Sequence, residues 1–282
     1  MRTIAVHVGG IGDLLLTAPA LARLALEGPL ELAGRGDRLD LLVAGGIATA
    51  AHELDAIDFD SVFSAPSKRL RAFLEPFHRA IIWMRDDGSI ANNLRACGLS
   101  DVRAFSGLPA GNGSRHASAY YLECLGFPAS DTPFRLHIPA ARTEHDVIIH
   151  PGSGSPLKNW PMDRFAEIAQ TLEGSGRRVE WCAGPAETSL RLPARALTMP
   201  PAPLVDLARH LAATRLYIGN DSGITHLAAS VGCIVVAIYG QTDPQKWAPL
   251  GPRVHIVQGD PWPTTTTVRN AVTSLRPSPR RR

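Results

Sequence analysis

A chain of 282 residues, 45% hydrophobic and 20% charged, has the composition of a globular protein, and its length suits one large domain or two ordinary ones. The net charge of +3, with acidic and basic residues well mixed, excludes a nucleic-acid-binding footprint, and the basic stretch 276–282 reads as a frayed, solvated end. Four widely spaced cysteines without a Cys-x-x-Cys pair argue against a zinc or disulfide framework and for reduced core thiols in the cytoplasm. No apolar run reaches the ~18 residues of a membrane span. Met1-Arg2 leads into a short strand and a glycine turn rather than a signal peptide, so any membrane contact is expected to be peripheral.

Taken in chain order, residues 3–8 read as a buried strand, followed by a glycine turn and an Ala/Leu-rich helix over 13–26. Residues 40–44, 61–63 and 80–84 are the next strand candidates, and 116–125 reads as a helix ended by Gly126 ahead of Pro128. Prolines recur and the helical pattern lapses over 128–144, which reads as an interdomain linker. The rhythm then restarts: strand 146–150, a glycine-rich turn, helix 162–173, strand 178–182, helix 204–213, strand 216–219, helix 223–231 and strand 234–238. A Pro/Gly loop, a strand over 254–257 and a last helix over 268–275 complete it. Strands alternating with helices in two blocks predict two parallel, doubly wound sheets. The expected domains are 1–140 and 141–282, with the last helix available to pack back on the first, and ligands are expected at the carboxyl ends of the strands.

Three polar clusters follow strands. In Gly9-Gly-Ile-Gly-Asp13, the glycines Gly9, Gly10 and Gly12 let a backbone approach a ligand, and the helix start offers free N–H groups. The spacing is neither that of a Walker loop nor that of the dinucleotide fingerprint. Asp13 is either a helix-terminus carboxylate favoured by the dipole or a functional group. In His150-Pro-Gly-Ser153-Gly-Ser-Pro-Leu-Lys158-Asn-Trp-Pro161, glycines and serines can form an anion-binding nest, and Lys158 is either a phosphate ligand or a solvated loop lysine. In Gly219-Asn-Asp221-Ser222-Gly223-Ile-Thr-His226, Asp221 or Ser222 caps the next helix. His226 falls on that helix's first turn, as a structural histidine or a site residue.

Together these segments resemble the bacterial heptosyltransferases of glycosyltransferase family 9. The resemblance is carried by Gly9-Gly-Ile-Gly-Asp-Leu-Leu-Leu-Thr-Ala-Pro19, by His150-Pro-Gly-Ser-Gly with Lys158-Asn-Trp-Pro161, and by Asn220-Asp-Ser-Gly-Ile-Thr-His-Leu-Ala-Ala229. Tyr239-Gly-Gln-Thr-Asp-Pro-Gln-Lys-Trp-Ala-Pro249 and the helix before the linker add to it. The resemblance implies a GT-B fold, two Rossmann-like domains facing each other across a cleft. It also implies a metal-independent, cofactor-free, inverting transfer of a sugar, ADP-heptose being the usual donor and a lipid-linked saccharide of the lipopolysaccharide core the usual acceptor. The first domain then binds the acceptor and the second the nucleotide sugar, at the cytoplasmic face of the inner membrane. By the same resemblance Asp13 matches the catalytic base. Ser153, Lys158, Asp221, Ser222, Gly223 and His226 match the donor site, and Glu187 resembles a glutamate that holds the ribose. Pro261-Trp-Pro-Thr-Thr-Thr-Thr267 stands where the family often carries a cysteine-containing segment. The rival readings are a family member acting on a protein or small metabolite, a nucleotide-sugar epimerase of the same architecture, and a non-catalytic nucleotide-sugar binding module.

Overall fold

The structure, a computed structural model, describes residues 1–109, 115–130, 133–184 and 190–275. Contacts divide the chain into two compact units, Met1–Asp131 and Thr132–Arg282.

The first unit is a five-stranded parallel sheet with helical crossovers. Its strands are β1 (Thr3–His7), β2 (Leu30–Gly34), β3 (Ala50–Glu53), β4 (Arg79–Trp83) and β5 (Asp101–Phe105). Its helices are α1 (Ile11–Ala25), α2 (Asp40–Ala44), α3 (Lys68–Leu74), α4 (Ser89–Ala96) and α5 (Ala117–Cys124). The strand order is β3-β2-β1-β4-β5. β1 and β4 are buried along their whole length, as expected of central strands covered on both faces. One core cluster gathers Ile4, Val6, Phe59, Leu70, Ile82 and Leu94.

The second unit repeats the plan with β6 (His145–His150), α6 (Met162–Gly174), β7 (Val179–Trp181), α7 (Leu204–Ala212), β8 (Thr214–Asn220), α8 (Gly223–Ser230), β9 (Ile234–Tyr239), α9 (Pro244–Trp247), β10 (Val254–Gln258) and α10 (Thr265–Ser274). Its sheet is parallel throughout, in the order β10-β9-β8-β6-β7. The core holds Val147, Ile149, Phe165, Ile218, Val236 and the indoles of Trp160 and Trp181. α10 packs on α6, β9 and β10 of its own unit.

The two strand orders fix where ligands can bind. In the first sheet the chain reverses direction between β1 and β4, and in the second between β6 and β8. At such a switch point the neighbouring crossovers diverge to opposite faces and leave a crevice at the carboxyl ends of the strands. The loops after β1, β6 and β8 are the three polar clusters of the sequence.

In the second unit the strands and the longer helices lie close to where the periodicity predicts them, while α9 falls within the expected Pro/Gly loop and α10 begins at Thr265 rather than at 268. The first unit departs from expectation at two expected strands and at three strands that were not expected. Residues 40–44, expected as a strand, are helix α2, and 61–63 belong to a 3-10 helix, Phe59–Phe63. Both are short apolar runs, which periodicity alone cannot assign. The strands taking their place, β2 and β3, were hidden. Glu31 sits inside β2 at 5% exposure, a position a carboxylate occupies only with partners. Its partners are Arg2 Nε at 2.8 Å and His52 Nε2 at 2.7 Å. β3 (Ala-Ala-His-Glu) has no β-branched residue and is held by its parallel pairing with β2. β5 was missed as well.

Candidate active site

The loop after β1 turns into α1 through Gly9 and Gly10. A Cβ on Gly9 would lie 2.9 Å from both Asp13 Cβ and His7 Cε1, so a larger residue there would force these side chains to move. Gly10 is the N-cap of α1, and Gly12 lies in the helix's first turn rather than in the loop. Asp13 is thus the third helical residue, not the first. Its Oδ2 accepts from the Gly10 N–H at 3.0 Å, so this carboxylate does serve the helix terminus, where the dipole favours it.

Three further groups stand around this loop. Arg38 reaches back across the sheet end to donate from Nη1 to the Gly9 carbonyl at 2.5 Å, and from Nε to the Arg35 carbonyl at 2.6 Å. His7 lies beneath the loop at 2% exposure, with Nε2 3.4 Å from Thr17 Oγ1. Burial, seconded by the Arg38 cation, pushes its imidazole down to about 4, so it is neutral at physiological pH. Tyr121 donates its hydroxyl to the Gly107 carbonyl at 2.9 Å. Burial, and after it the nearby Asp13 charge, raises this phenol far above its ordinary range.

In the second unit the loops after β6 and β8 are fastened together by Asn220, fully buried at the end of β8. Its Oδ1 accepts from the Trp160 N–H at 3.0 Å and its Nδ2 donates to the Pro151 carbonyl at 2.7 Å. Trp160 is in turn anchored by Nε1 to the Pro263 carbonyl at 3.0 Å. Ser222 is the N-cap of α8, its Oγ accepting from the Thr225 N–H at 3.3 Å, while Thr225 Oγ1 donates to the Asn220 carbonyl at 2.5 Å. Gly223 opens α8 and His226, buried, lies on its first turn.

Lys158 ends a 3-10 helix, Pro156–Lys158, that lifts it over the mouth of α8. Its Nζ is 2.7 Å from Asp221 Oδ2; the lysine side chain is 43% exposed and the aspartate 9%. Burial, and after it the Asp221 carboxylate, pushes the Tyr239 phenol far above its usual range. Around this ion pair opens a cavity of about 240 Å³, lined by Ser155, Leu157, Lys158 and Asp221 and by Gly240, Gln241, Thr242 and Trp262. A cation beside a capped helix N-terminus, at the switch point of a parallel sheet, is suited to an anionic ligand such as a diphosphate.

Lys158 and Asp221 line this cavity, and Ser222 and Gly223 sit at its helix mouth. Ser153 instead braces the loop, with Oγ 2.6 Å from the Ser155 carbonyl and 2.7 Å from Asn159 Oδ1, and Ser155 takes the lining position. Glu187 and the basic stretch 276–282 fall outside the described residues. Arg38, Asn220, Gln241 and Trp262 are the positions sequence reasoning missed. Among the described residues no cluster of three or more His, Cys, Asp or Glu has the geometry of a metal site, and no helix is long and apolar enough to cross a membrane.

Two parallel sheets in series, each with a polar loop at its switch point, define the GT-B class of α/β fold, and the comparisons agree. The E. coli heptosyltransferase WaaC with ADP superposes with a TM-score of 0.71 at 20% identity, covering 97% of this chain and 99% of that one. The same enzyme with ADP-2-deoxy-2-fluoro heptose gives 0.68 over the same shares. TibC, described as an iron-containing dodecameric glycosyltransferase from enterotoxigenic E. coli, gives 0.61 at 19% identity, over 90% of this chain and 63% of its own. In sequence, lipopolysaccharide heptosyltransferase 1 of E. coli K12 is 28% identical over 117 residues, which is 39% of this chain and only 36% of that relative's length. The model of glycosyltransferase family 9 (heptosyltransferase) matches residues 125–274, more than half of the chain. The chain belongs to glycosyltransferase family 9.

Proposed function

We propose that this chain is an inverting, metal-independent glycosyltransferase that moves a sugar from a nucleotide diphosphate donor to an acceptor hydroxyl. The donor is ADP-heptose, the acceptor a lipid-linked saccharide of the lipopolysaccharide core, and the enzyme works in the cytoplasm, in peripheral contact with the inner membrane. The first domain, 1–140 by its sequence pattern, binds the acceptor and the second, 141–282, the donor. The observation that carries this reading is the Lys158–Asp221 pair at the mouth of α8, inside the segment that the family model matches. The ADP and ADP-sugar complexes of WaaC support the choice of nucleotide.

In the proposed reaction Asp13 takes the proton of the acceptor hydroxyl as its oxygen attacks the anomeric carbon. General-base assistance of this kind contributes typically ~10²–10⁴-fold. The bond from the anomeric carbon to the diphosphate breaks on the opposite face, which inverts the configuration and releases ADP. Lys158 and the N–H groups that open α8 at Gly223 receive the leaving charge, as fixed donors need no reorganisation at that moment. Ser222 keeps that helix terminus in place, and His226 stands behind it as a donor-site residue. Glu187 is proposed to hold the ribose.

The test is ADP release from ADP-heptose, with and without deacylated inner-core saccharide, in excess EDTA. The proposal expects acceptor-dependent release that chelation leaves intact. Loss of turnover in EDTA, restored by a divalent ion, contradicts metal independence, a pointed question given the iron of TibC. Conversion of the sugar nucleotide without acceptor marks an epimerase instead.

A further inference from the structure

The cavity beside Lys158, at the β6/β8 switch point, is lined as well by the loops that follow β9 and β10, through Gly240, Gln241, Thr242 and Trp262. The indole is half-buried, packed against the core of the second unit, and abuts the Gly240 backbone so closely that no other residue fits there. A Cβ on Gly240 would lie 2.5 Å from the Pro261 carbonyl oxygen and 2.8 Å from Trp262 Cζ3. The loop after β10 is itself pinned, since the Pro263 carbonyl accepts from Trp160 Nε1 at 3.0 Å and from Arg164 Nη1 at 3.2 Å. Trp262 is therefore a rigid wall.

At about 240 Å³ the cavity falls below the roughly 300–1,000 Å³ of pockets that enclose a whole drug-sized ligand. It takes one end of a nucleotide sugar, beyond the diphosphate at Lys158. The polar groups decide which end. Asp221 offers a carboxylate, which only accepts; Gln241 offers an amide and Thr242 a hydroxyl. Such a set pairs with the many O–H donors of a sugar, whereas an adenine edge offers a single donor group, its N6 amine, flanked by ring-nitrogen acceptors that the Asp221 charge disfavours. An aromatic wall beside these groups suits the C–H face of a pyranose. We infer that Trp262, with Gln241 and Thr242, forms the donor-sugar subsite and that Trp262 is a specificity-determining residue of this chain. The inference rests on the donor reading proposed above, and it sends the nucleoside toward the β7 side of the switch point.

Calorimetric titration of ADP and of ADP-heptose into the full chain tests it. Removing the indole strips apolar contact from the sugar alone, so Trp262→Ala should weaken ADP-heptose by about tenfold and leave ADP within about twofold. Trp262→Phe keeps an aromatic face and should retain most of the affinity. Gln241 is exposed, so Gln241→Ala should fold normally, and loss of one hydrogen bond should cost ADP-heptose about three- to tenfold. If Trp262→Ala fails to fold, the Phe and Gln241 variants carry the test. Equal losses for ADP and ADP-heptose would assign the wall to the nucleoside and overturn the inference, as would unchanged ADP-heptose affinity. A wild-type chain that binds neither ligand overturns the donor reading itself, a result visible before any variant is compared.

Discussion

Substituting Lys158 by alanine separates the two jobs the ion pair could have. In the unliganded protein Lys158 Nζ sits 2.7 Å from Asp221 Oδ2, but the lysine side chain is 43% exposed. Water therefore screens the pair, and its contribution to folding should stay within about 1 kcal/mol. The Asp221 carboxylate left behind remains at the N-terminus of α8, where the helix dipole favours a negative charge. The melting temperature of Lys158→Ala without ligand should thus change by a few degrees at most. A diphosphate is a different matter, because a charge-assisted contact to phosphate is worth roughly 1.5–3 kcal/mol, or about 10- to 100-fold in affinity.

The same numbers predict a thermal shift. ADP at 100 times the wild-type Kd stabilises the native state by about 2.7 kcal/mol. If Kd rises about 30-fold in the variant, the same ADP concentration adds only about 0.9 kcal/mol. The assay is a calorimetric titration of ADP into both proteins, with melting curves recorded at one fixed ADP concentration. An ADP affinity within twofold of wild type would remove Lys158 from the donor site and leave it a surface ion-pair partner.

Other perturbations probe the remaining parts. Asp13→Asn retains an oxygen that can accept from the Gly10 N–H, so stability should hold while kcat falls about 10²-fold or more with donor affinity unchanged; near-normal kcat would leave Asp13 only its helix-terminus role. Asn220→Ala strips partners from the buried Trp160 N–H and Pro151 carbonyl and should cost about 2–4 kcal/mol in chemical denaturation, with weakened ADP binding; a loss below about 1 kcal/mol would show that the two loops do not depend on it. For His7 the folded-state pKa is depressed from 6.5 to about 4, so the unfolded chain takes up a proton first as pH falls. Stability present above about pH 6.5 should then decline toward pH 4, by about 3 kcal/mol from this group. Denaturation midpoints of wild type and His7→Gln across that window check it, and parallel pH profiles would contradict it.

The second unit was largely legible because its signals are strong and local. Ile234-Val-Val-Ala-Ile-Tyr239 is too apolar and β-branched for anything but a central strand, and Ser222 before Gly223 announces the start of α8. The first unit was less so, because its strands are decided by partners far along the chain. Glu31 looks out of place in a strand until Arg2 and His52 are seen to hold it. The site shows the same division. Lys158, Asp221 and Ser222 sit in loops directly after strands, where topology alone draws attention to them. Asn220 bonds to residues 60 and 69 positions away, and Arg38 to a carbonyl 29 positions away. Trp262 joins the cavity only because its loop folds back over Gly240. No motif spacing records such long-range contacts.

The central claim, sugar transfer with inversion from a nucleotide diphosphate donor, is tested most directly by the anomeric configuration of the product. ADP-heptose and deacylated inner-core saccharide are incubated with the chain, and the new glycosidic linkage is assigned by NMR coupling constants. The account predicts a heptosylated acceptor with the anomeric configuration opposite to that of the donor, formed together with ADP. A product that retains the donor's configuration, or a rearranged sugar nucleotide formed without acceptor, would contradict it.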